Sequence, residues 1–390
     1  MPDKTTLGII FGGRSVEHEV SVLSGNQALH AADRSKYNVQ PIYLDRDNIW
    51  YIGEKLEDIN FFRRPNPPMN ELTRVYPSPD PIRGKLRLTD ATPRALRKAK
   101  VFEIDCVLPV THGTFVEDGA LQGLLELSGV PFAGSGVHGS AVGMDKLLFK
   151  AVLAAEGLPH LAYQQVNRSE WNNDPELVLK RIGEQLPGEV FIKPAILGSS
   201  VGISHVKTPN DLEPALDLAL KFCDRAMVEK ALDYDKEINC SVIDGDPPIP
   251  SILEQPVSAT DLLTFDEKYK GNAKKGVKNS GEKGMAAQKR LIPAPITDEI
   301  TKQIQDYAVQ TFRAVGAGGV ARIDFLIAKD GNVYINELNN IPGSLSFYLW
   351  EHMGRSFADL IDKLVERAYE VNKIRNRTTF SFDANLLAGG

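Results

Sequence analysis

The chain has 390 residues, 42% of them apolar and 25% charged, and a formal net charge of −6. That length provides for two or three domains with sizeable cores. The acidic balance argues against a general nucleic-acid binder, no apolar run is long enough to span a bilayer, and the scattered Cys106, Cys223 and Cys240 make neither a disulfide framework nor a zinc site.

In chain order, the opening MPDKTTLGIIFGG passes directly from a short polar stretch into a strand pattern. No signal peptide is expected, and a reducing cytoplasm fits. Leu7–Phe11 reads as a buried strand, Gly12-Gly13-Arg14-Ser15 as a turn, and the residues to about His30 as a helix with Ser15 at its N-cap. Strand, tight glycine turn and helix are the usual start of an open α/β sheet. Residues 49–100, Pro-rich from Arg63 to Arg83, read as an irregular excursion. Ile104–Val110 returns as a buried strand ending at Thr111-His112-Gly113, where a parallel sheet places its ligand crevice. Gly119–Glu126 is the next helix, and Pro131–Gly139 is the first boundary. A helix capped by Ser140 and running to about Glu156 opens a compact α+β unit spanning 140–230. A third unit, 231–375, carries a long helical pattern from Ile296, two strands at Gly319–Ile327 and Asn332–Glu337 joined by Lys-Asp-Gly, and a helix at about 353–373. Residues 376–390 read as a tail.

The strongest chemical cluster is Arg322-Ile323-Asp324 with Glu337-Leu338-Asn339. Residues two apart in a strand share a face, so in a hairpin all four polar side chains converge. Three hard oxygen donors suit magnesium beside phosphates, and an arginine fork suits a phosphoryl oxygen or a developing oxyanion. The plain alternative is a solvated sheet face with surface ion pairs. Gly343, in Asn340-Ile341-Pro342-Gly343-Ser344, allows close approach of a substrate to a backbone N–H, although a simple turn reads the same way.

Gly198-Ser199-Ser200-Val201-Gly202 follows a strand ending in Lys193-Pro194. Such a loop can wrap donors around phosphates, yet it is not a P-loop, because the lysine precedes the glycines. Lys193 within an apolar strand is more telling, since buried lysines are rare unless paired. Lys146 lies in a helical pattern, where a solvated lysine is the ordinary reading. Glu229, Lys230 and Leu232 end a strand that can present backbone to a purine, and Glu237 can accept from ribose hydroxyls; each carboxylate also reads as a surface group. Glu17 fits a helix N-terminus or the binding of a substrate ammonium. His112 and Glu117 mark the second crevice edge. From Lys268 to Arg290 the chain holds eight Lys or Arg against one Glu. This stretch reads as a linker or as a mobile lid over a triphosphate; near-absence of aromatic residues ranks nucleic-acid contact below the lid.

Taken together, FGGRSVEHEVSVLSG, HGTFVEDGALQG, GSGVHGSAVGMDKLLFK, FIKPAILGSSVGIS, VEKAL, DEKYK, RIDF and NELNNIPGS resemble the D-alanine–D-alanine ligase family of the ATP-grasp superfamily, from about residue 5 to 360. The resemblance implies an ATP-grasp fold, α/β and α+β, behind an N-terminal open parallel-sheet (Rossmann-like, pre-ATP-grasp) domain at 1–139. It implies ATP and two Mg2+ ions, with Mn2+ an alternative, D-amino acid substrates, a homodimer, and no nucleic-acid or membrane partner. By the same resemblance Glu17, helped by the His112 region, takes the first substrate's ammonium. Lys146, Lys193, Ser200 and Lys268 meet phosphates, and Lys268 also reaches the substrate carboxylate. Glu229, Lys230 and Leu232 hold adenine, and Glu237 holds ribose. Ser199 links Glu17 to Tyr269 in the mobile loop 262–290. Asp324, Glu337 and Asn339 hold the metals, and Arg322 with the Gly343 N–H stabilises the tetrahedral intermediate.

Tyr348, followed by Leu349, stands in the second-substrate position where many members carry a serine for the carboxylate. Phe265 replaces a tyrosine of the loop. These departures leave D-serine, D-lactate, another amino acid or a peptide as alternative second substrates. A nucleotide-binding regulator without catalysis would show a broken phosphate or metal set, which this chain keeps.

Overall fold

The computed structural model describes residues 4–78, 84–92, 98–257 and 289–379. Three sheets organise the chain. The first is built from β1 (Thr5–Gly12), β2 (Tyr37–Leu44), β3 (Trp50–Ile52), β4 (Thr73–Ser78), β5 (Leu86–Asp90), β6 (Val101–Ile104) and β7 (Cys106–Pro109), in the order β6-β5-β4-β3-β2-β1-β7. The open sheet has a parallel core, β2-β1-β7, as expected, and the added strands pair antiparallel, so the whole is mixed. Residues 49–100 are therefore not simply an irregular excursion: they supply β3, β4 and β5. These strands are short, and Pro77 sits inside β4, so local propensity argued against them. Sheet pairing and alternating burial along β5 outweigh it.

The second sheet contains β8 (Tyr163–Asn167), β9 (Val190–Pro194), β10 (Ser204–Val206) and β11 (Arg225–Lys230), ordered β10-β9-β11-β8 and antiparallel throughout. The third contains β12 (Tyr234–Ile243), β13 (Ile249–Pro256), β14 (Arg290–Leu291), β15 (Val320–Ala328) and β16 (Val333–Asn339), ordered β14-β13-β12-β15-β16. The expected hairpin is β15–β16, and Gly331 takes a positive φ of 86° in its turn.

The helix expected from Ser140 to Glu156 is two helices, Val137–Met144 and Lys146–Ala155. Asp145 divides them by accepting from the N–H groups of Leu147 and Leu148 at 3.0 and 3.2 Å. Phe149 and Leu153 of the second helix pack with Ile304, Phe312 and Phe325, so this helix belongs to the core of the third sheet. The first helix begins at His18, and Ser15 Oγ accepts from the Glu17 N–H at 3.0 Å instead of capping the helix. The C-terminal helix Phe357–Arg375 folds back: Leu360, Ile361 and Leu364 pack with Leu7, Ile9 and Leu108 beneath the first sheet. The segment after β16 also reaches the turn after β7, where the Ile341 N–H donates to Glu117 at 2.9 Å. Among the described residues no helix is long and apolar enough to cross a membrane.

Candidate active site

A cleft lies where the three sheets meet. Glu17, His112 and Glu117 reach it from the first domain, Ser199 from the second, and Arg322 and Asp324 from the third. The turn after β1 delivers Glu17. A Cβ on Gly12 would lie 2.1 Å from the Leu44 carbonyl oxygen, so only glycine lets the chain turn there. The Glu17 carboxylate fits between two bare backbones, because a Cβ on Gly198 would lie 2.4 Å, and one on Gly113 3.0 Å, from its Oε2. Ser199 Oγ donates to Glu17 Oε1. Ser199 and Ser200 both have left-handed φ, 55° and 59°, at the tip of the loop that closes over Glu17.

The hairpin register places Arg322 opposite Asn339 and Asp324 opposite Glu337. Arg322 forks onto Asp324 through Nε and one terminal nitrogen at 2.7 and 2.8 Å, and Asn339 Nδ2 donates to the same carboxylate at 3.1 Å. Burial disfavours the Arg322 charge, yet the Asp324 carboxylate outweighs it and holds the guanidinium well above its ordinary range. Gly343 opens a turn at the cleft wall. Ser344, Leu345 and Ser346 then all have left-handed φ, a conformation costing about 1–2 kcal/mol per residue. Among the described residues no cluster of three His, Cys, Asp or Glu forms a metal site. The Asp324–Glu337–Asn339 set has two carboxylates and an amide oxygen, a donor set that fits magnesium completed by substrate phosphates.

Lys146 is not mid-helix but the first residue of its helix, and its Nζ donates to the Leu197 carbonyl at 2.5 Å. Lys193 Nζ pairs with Glu229 Oε2 at 2.6 Å, and Lys150 Nζ with Glu229 Oε1 at 2.7 Å. Burial works against the Glu229 charge, but the two lysines win and hold its pKa down at about 2. The Glu229 side chain is thus sealed inside a charge triad with Lys150 and Lys193, the latter on the neighbouring strand β9. Lys230, Leu232 and Glu237 line an adjoining groove with Phe191, and Glu237 lines the cleft as well. Lys150 escaped the sequence reading, although its position four residues after Lys146 inside LLFKAVLAA was a usable signal.

Tyr348 and Leu349 are buried. The Tyr348 hydroxyl donates to Glu254 at 2.9 Å, and Arg290, itself paired with Glu254 at 2.8 Å, lies 3.8 Å over the phenol ring. Asn239, directly across β12 from Asp324, donates to the same Glu254 at 3.3 Å. Asn239 and Glu254 carried no sequence signal of their own, and Arg290, read from sequence as the end of the basic stretch, instead begins β14. Lys268, Tyr269, Phe265 and most of the loop 262–290 lie outside the described residues.

His112 Nε2 lies 3.2 Å from Ser24 Oγ, and burial lowers its pKa to about 4, partly offset by the Ile341 carbonyl. Glu117 moves the other way: burial and the neighbouring Glu17 push it up to about 8, against two backbone N–H donors. A lowered histidine contributes stability above its unfolded pKa of 6.5 and loses it as pH falls through 4. The stability difference between the wild type and His112→Gln should therefore shift by up to about 3 kcal/mol between those limits, all at the expense of the wild type. Urea unfolding across that range checks it, and a constant difference would refute the buried neutral imidazole.

Models of two family regions match the chain: D-ala D-ala ligase N-terminus over residues 6–135 and D-ala D-ala ligase C-terminus over residues 152–366. A D-alanine--D-alanine ligase of Thermosipho africanus is 35% identical over 380 residues, 97% of either chain. The solved D-alanine-D-alanine ligase from Coxiella burnetii is 28% identical with a TM-score of 0.77, covering 96% of this chain and 98% of its own. The VanG D-Ala:D-Ser ligase from Enterococcus faecalis is 27% identical with a TM-score of 0.76, covering 94% of this chain and 100% of its own.

Proposed function

Since this chain belongs to the D-alanine–D-alanine ligase family of the ATP-grasp superfamily, we propose that it joins two D-alanines through a D-alanyl phosphate. It is an ATP-dependent ligase, and the dipeptide is a building block for peptidoglycan precursors. The observation that carries the residue-level reading is the register of β15 and β16, which turns Arg322, Asp324, Glu337 and Asn339 toward Glu17 across one cleft.

In this reading Glu17 takes the ammonium of the first D-alanine, with Ser199 fixing the carboxylate and His112 beside it. A carboxylate oxygen of that alanine attacks the γ-phosphorus of ATP, and the bond to the β-phosphate oxygen breaks, releasing ADP. The deprotonated amine of the second D-alanine then attacks the acyl carbon, and phosphate leaves with the C–O bonding electrons. Arg322 and the Gly343 N–H meet the oxyanion that forms between these events. Lys146, Lys193 and the backbone around Ser200 meet phosphate oxygens. Lys230 and Leu232 border the base, and Glu237 the ribose. Asp324, Glu337 and Asn339 would hold two magnesium ions, or manganese, whose chemistry is to neutralise phosphate charge. Lys268 and Tyr269 enter only through the family resemblance. No protein nucleophile is required; orientation, charge and exclusion of water do the catalysis. A cytoplasmic homodimer acting on D-amino acids, without nucleic-acid or membrane partners, completes the proposal.

A second reading keeps the chemistry and changes the acceptor. It is favoured by Tyr348, which stands where many family members carry a serine and whose hydroxyl donates to Glu254. Phosphate release with ATP and magnesium, measured against D- and L-amino acids and D-lactate with products identified by mass, separates the two. Turnover restricted to acceptors other than D-alanine would overturn the first reading and support the second.

A further inference from the structure

The strained turn after β16 is held from the first domain. Ser344, Leu345 and Ser346 are buried with φ of 53°, 52° and 51°. Residues bearing a Cβ rarely adopt that conformation in succession, so it persists only where surrounding bonds enforce it. Here the bonds come from elements more than 200 residues away in sequence. Glu117 spans the gap: its Oε2 accepts from the Gly113 N–H and its Oε1 from the Ile341 N–H, both at 2.9 Å. Ser24 Oγ accepts from the Ser344 N–H at 3.0 Å, and Ser344 Oγ donates to Gln27 Oε1 at 2.6 Å. Ile341 precedes Gly343 by two residues and Ser344 follows it directly. The Gly343 peptide is thus fixed on both sides by the domain that also carries Glu17.

We propose that Glu117 and Ser24 are positioning residues for ligation: they hold the Ile341–Ser346 turn in its strained form and so aim the Gly343 N–H at the acyl oxygen. The inference rests on the assignment of Gly343 to the tetrahedral intermediate made above. Its chemical consequence is selective. Attack of a carboxylate on phosphorus creates no oxyanion on carbon, whereas attack of the amine on the acyl carbon does. Loosening the turn therefore slows the second event and spares the first.

The test uses Glu117→Gln and Ser24→Ala in the full chain with ATP, magnesium and D-alanine. Glutamine keeps the shape of Glu117 but only one acceptor for two N–H donors. The kcat for dipeptide should fall about 10–100-fold in each variant, with KM for ATP held within about two-fold. Positional exchange of the β,γ-bridging oxygen of ATP, which reports acyl phosphate formation, should persist. An unchanged kcat, or exchange that falls in step with kcat, overturns the proposal. Should Glu117→Gln fail to fold, Ser24→Ala, which removes a single oxygen, decides alone. A wild-type protein that makes no dipeptide overturns the functional reading itself; an active wild type with unaffected variants overturns this inference only.

Discussion

Arg322→Lys lowers kcat for dipeptide formation by about 10²–10³-fold, the loss typical of removing one oxyanion donor. The side chain is buried and forked onto Asp324 at 2.7 and 2.8 Å, which fixes the plane of the guanidinium toward the cleft. Lysine keeps the charge that Asp324 needs, so the fold survives. It cannot reproduce two donors in one plane, so a donor is lost where negative charge develops. KM for ATP should change little, because the interaction is gained only in the transition state. Steady-state kinetics beside a thermal melt tests this. A variant within about three-fold of wild-type kcat would remove Arg322 from the reacting centre.

Glu229→Ala destabilises the protein by about 3–5 kcal/mol, the range for removing one partner of a buried ion pair. Lys150 and Glu229 are each 1% exposed, so the deletion leaves the Lys150 ammonium without Glu229 in an interior that already lowers its pKa. Lys193, at 14%, can turn toward water. The double variant Lys150→Met/Glu229→Ala should recover much of the loss, which distinguishes an orphaned charge from a simple cavity. The same triad makes stability depend on acid. A carboxylate held at about 2 instead of 4.5 contributes stability above 4.5 and loses it as pH falls through 2. Urea unfolding of the single and double variants measures both effects. A cost for the single variant below about 1 kcal/mol would show that Glu229 is not the buried counter-charge that this triad requires.

What could be read from sequence was what is local. Arg322 with Asp324, and Glu337 with Asn339, lie two apart in recognisable strands, so alternation alone set their faces, and a short turn set their register. The start of the first sheet was legible for the same reason: apolar β1 runs straight into a glycine turn. Three kinds of feature were not legible. Strands β3, β4 and β5 have little hydrophobic run of their own and exist because a neighbouring edge pairs with them. The break at Asp145 depends on one carboxylate choosing two backbone N–H groups over solvent. The contacts that join domains, such as Glu117 to Ile341 across 224 residues, have no local pattern. Glu229 shows the boundary between these cases. Its place at a strand end was visible, but the destination of its carboxylate depended on Lys150 and Lys193 from two other elements.

The central claim is that ATP drives ligation by passing its γ-phosphoryl group to the carboxylate of the first D-alanine. Supplying D-alanine labelled with 18O in both carboxylate oxygens and analysing the released phosphate by mass tests it directly. The account predicts one 18O in each phosphate formed and one 18O retained in the new amide carbonyl, in equal yield with the dipeptide. Unlabelled phosphate released alongside dipeptide would contradict it.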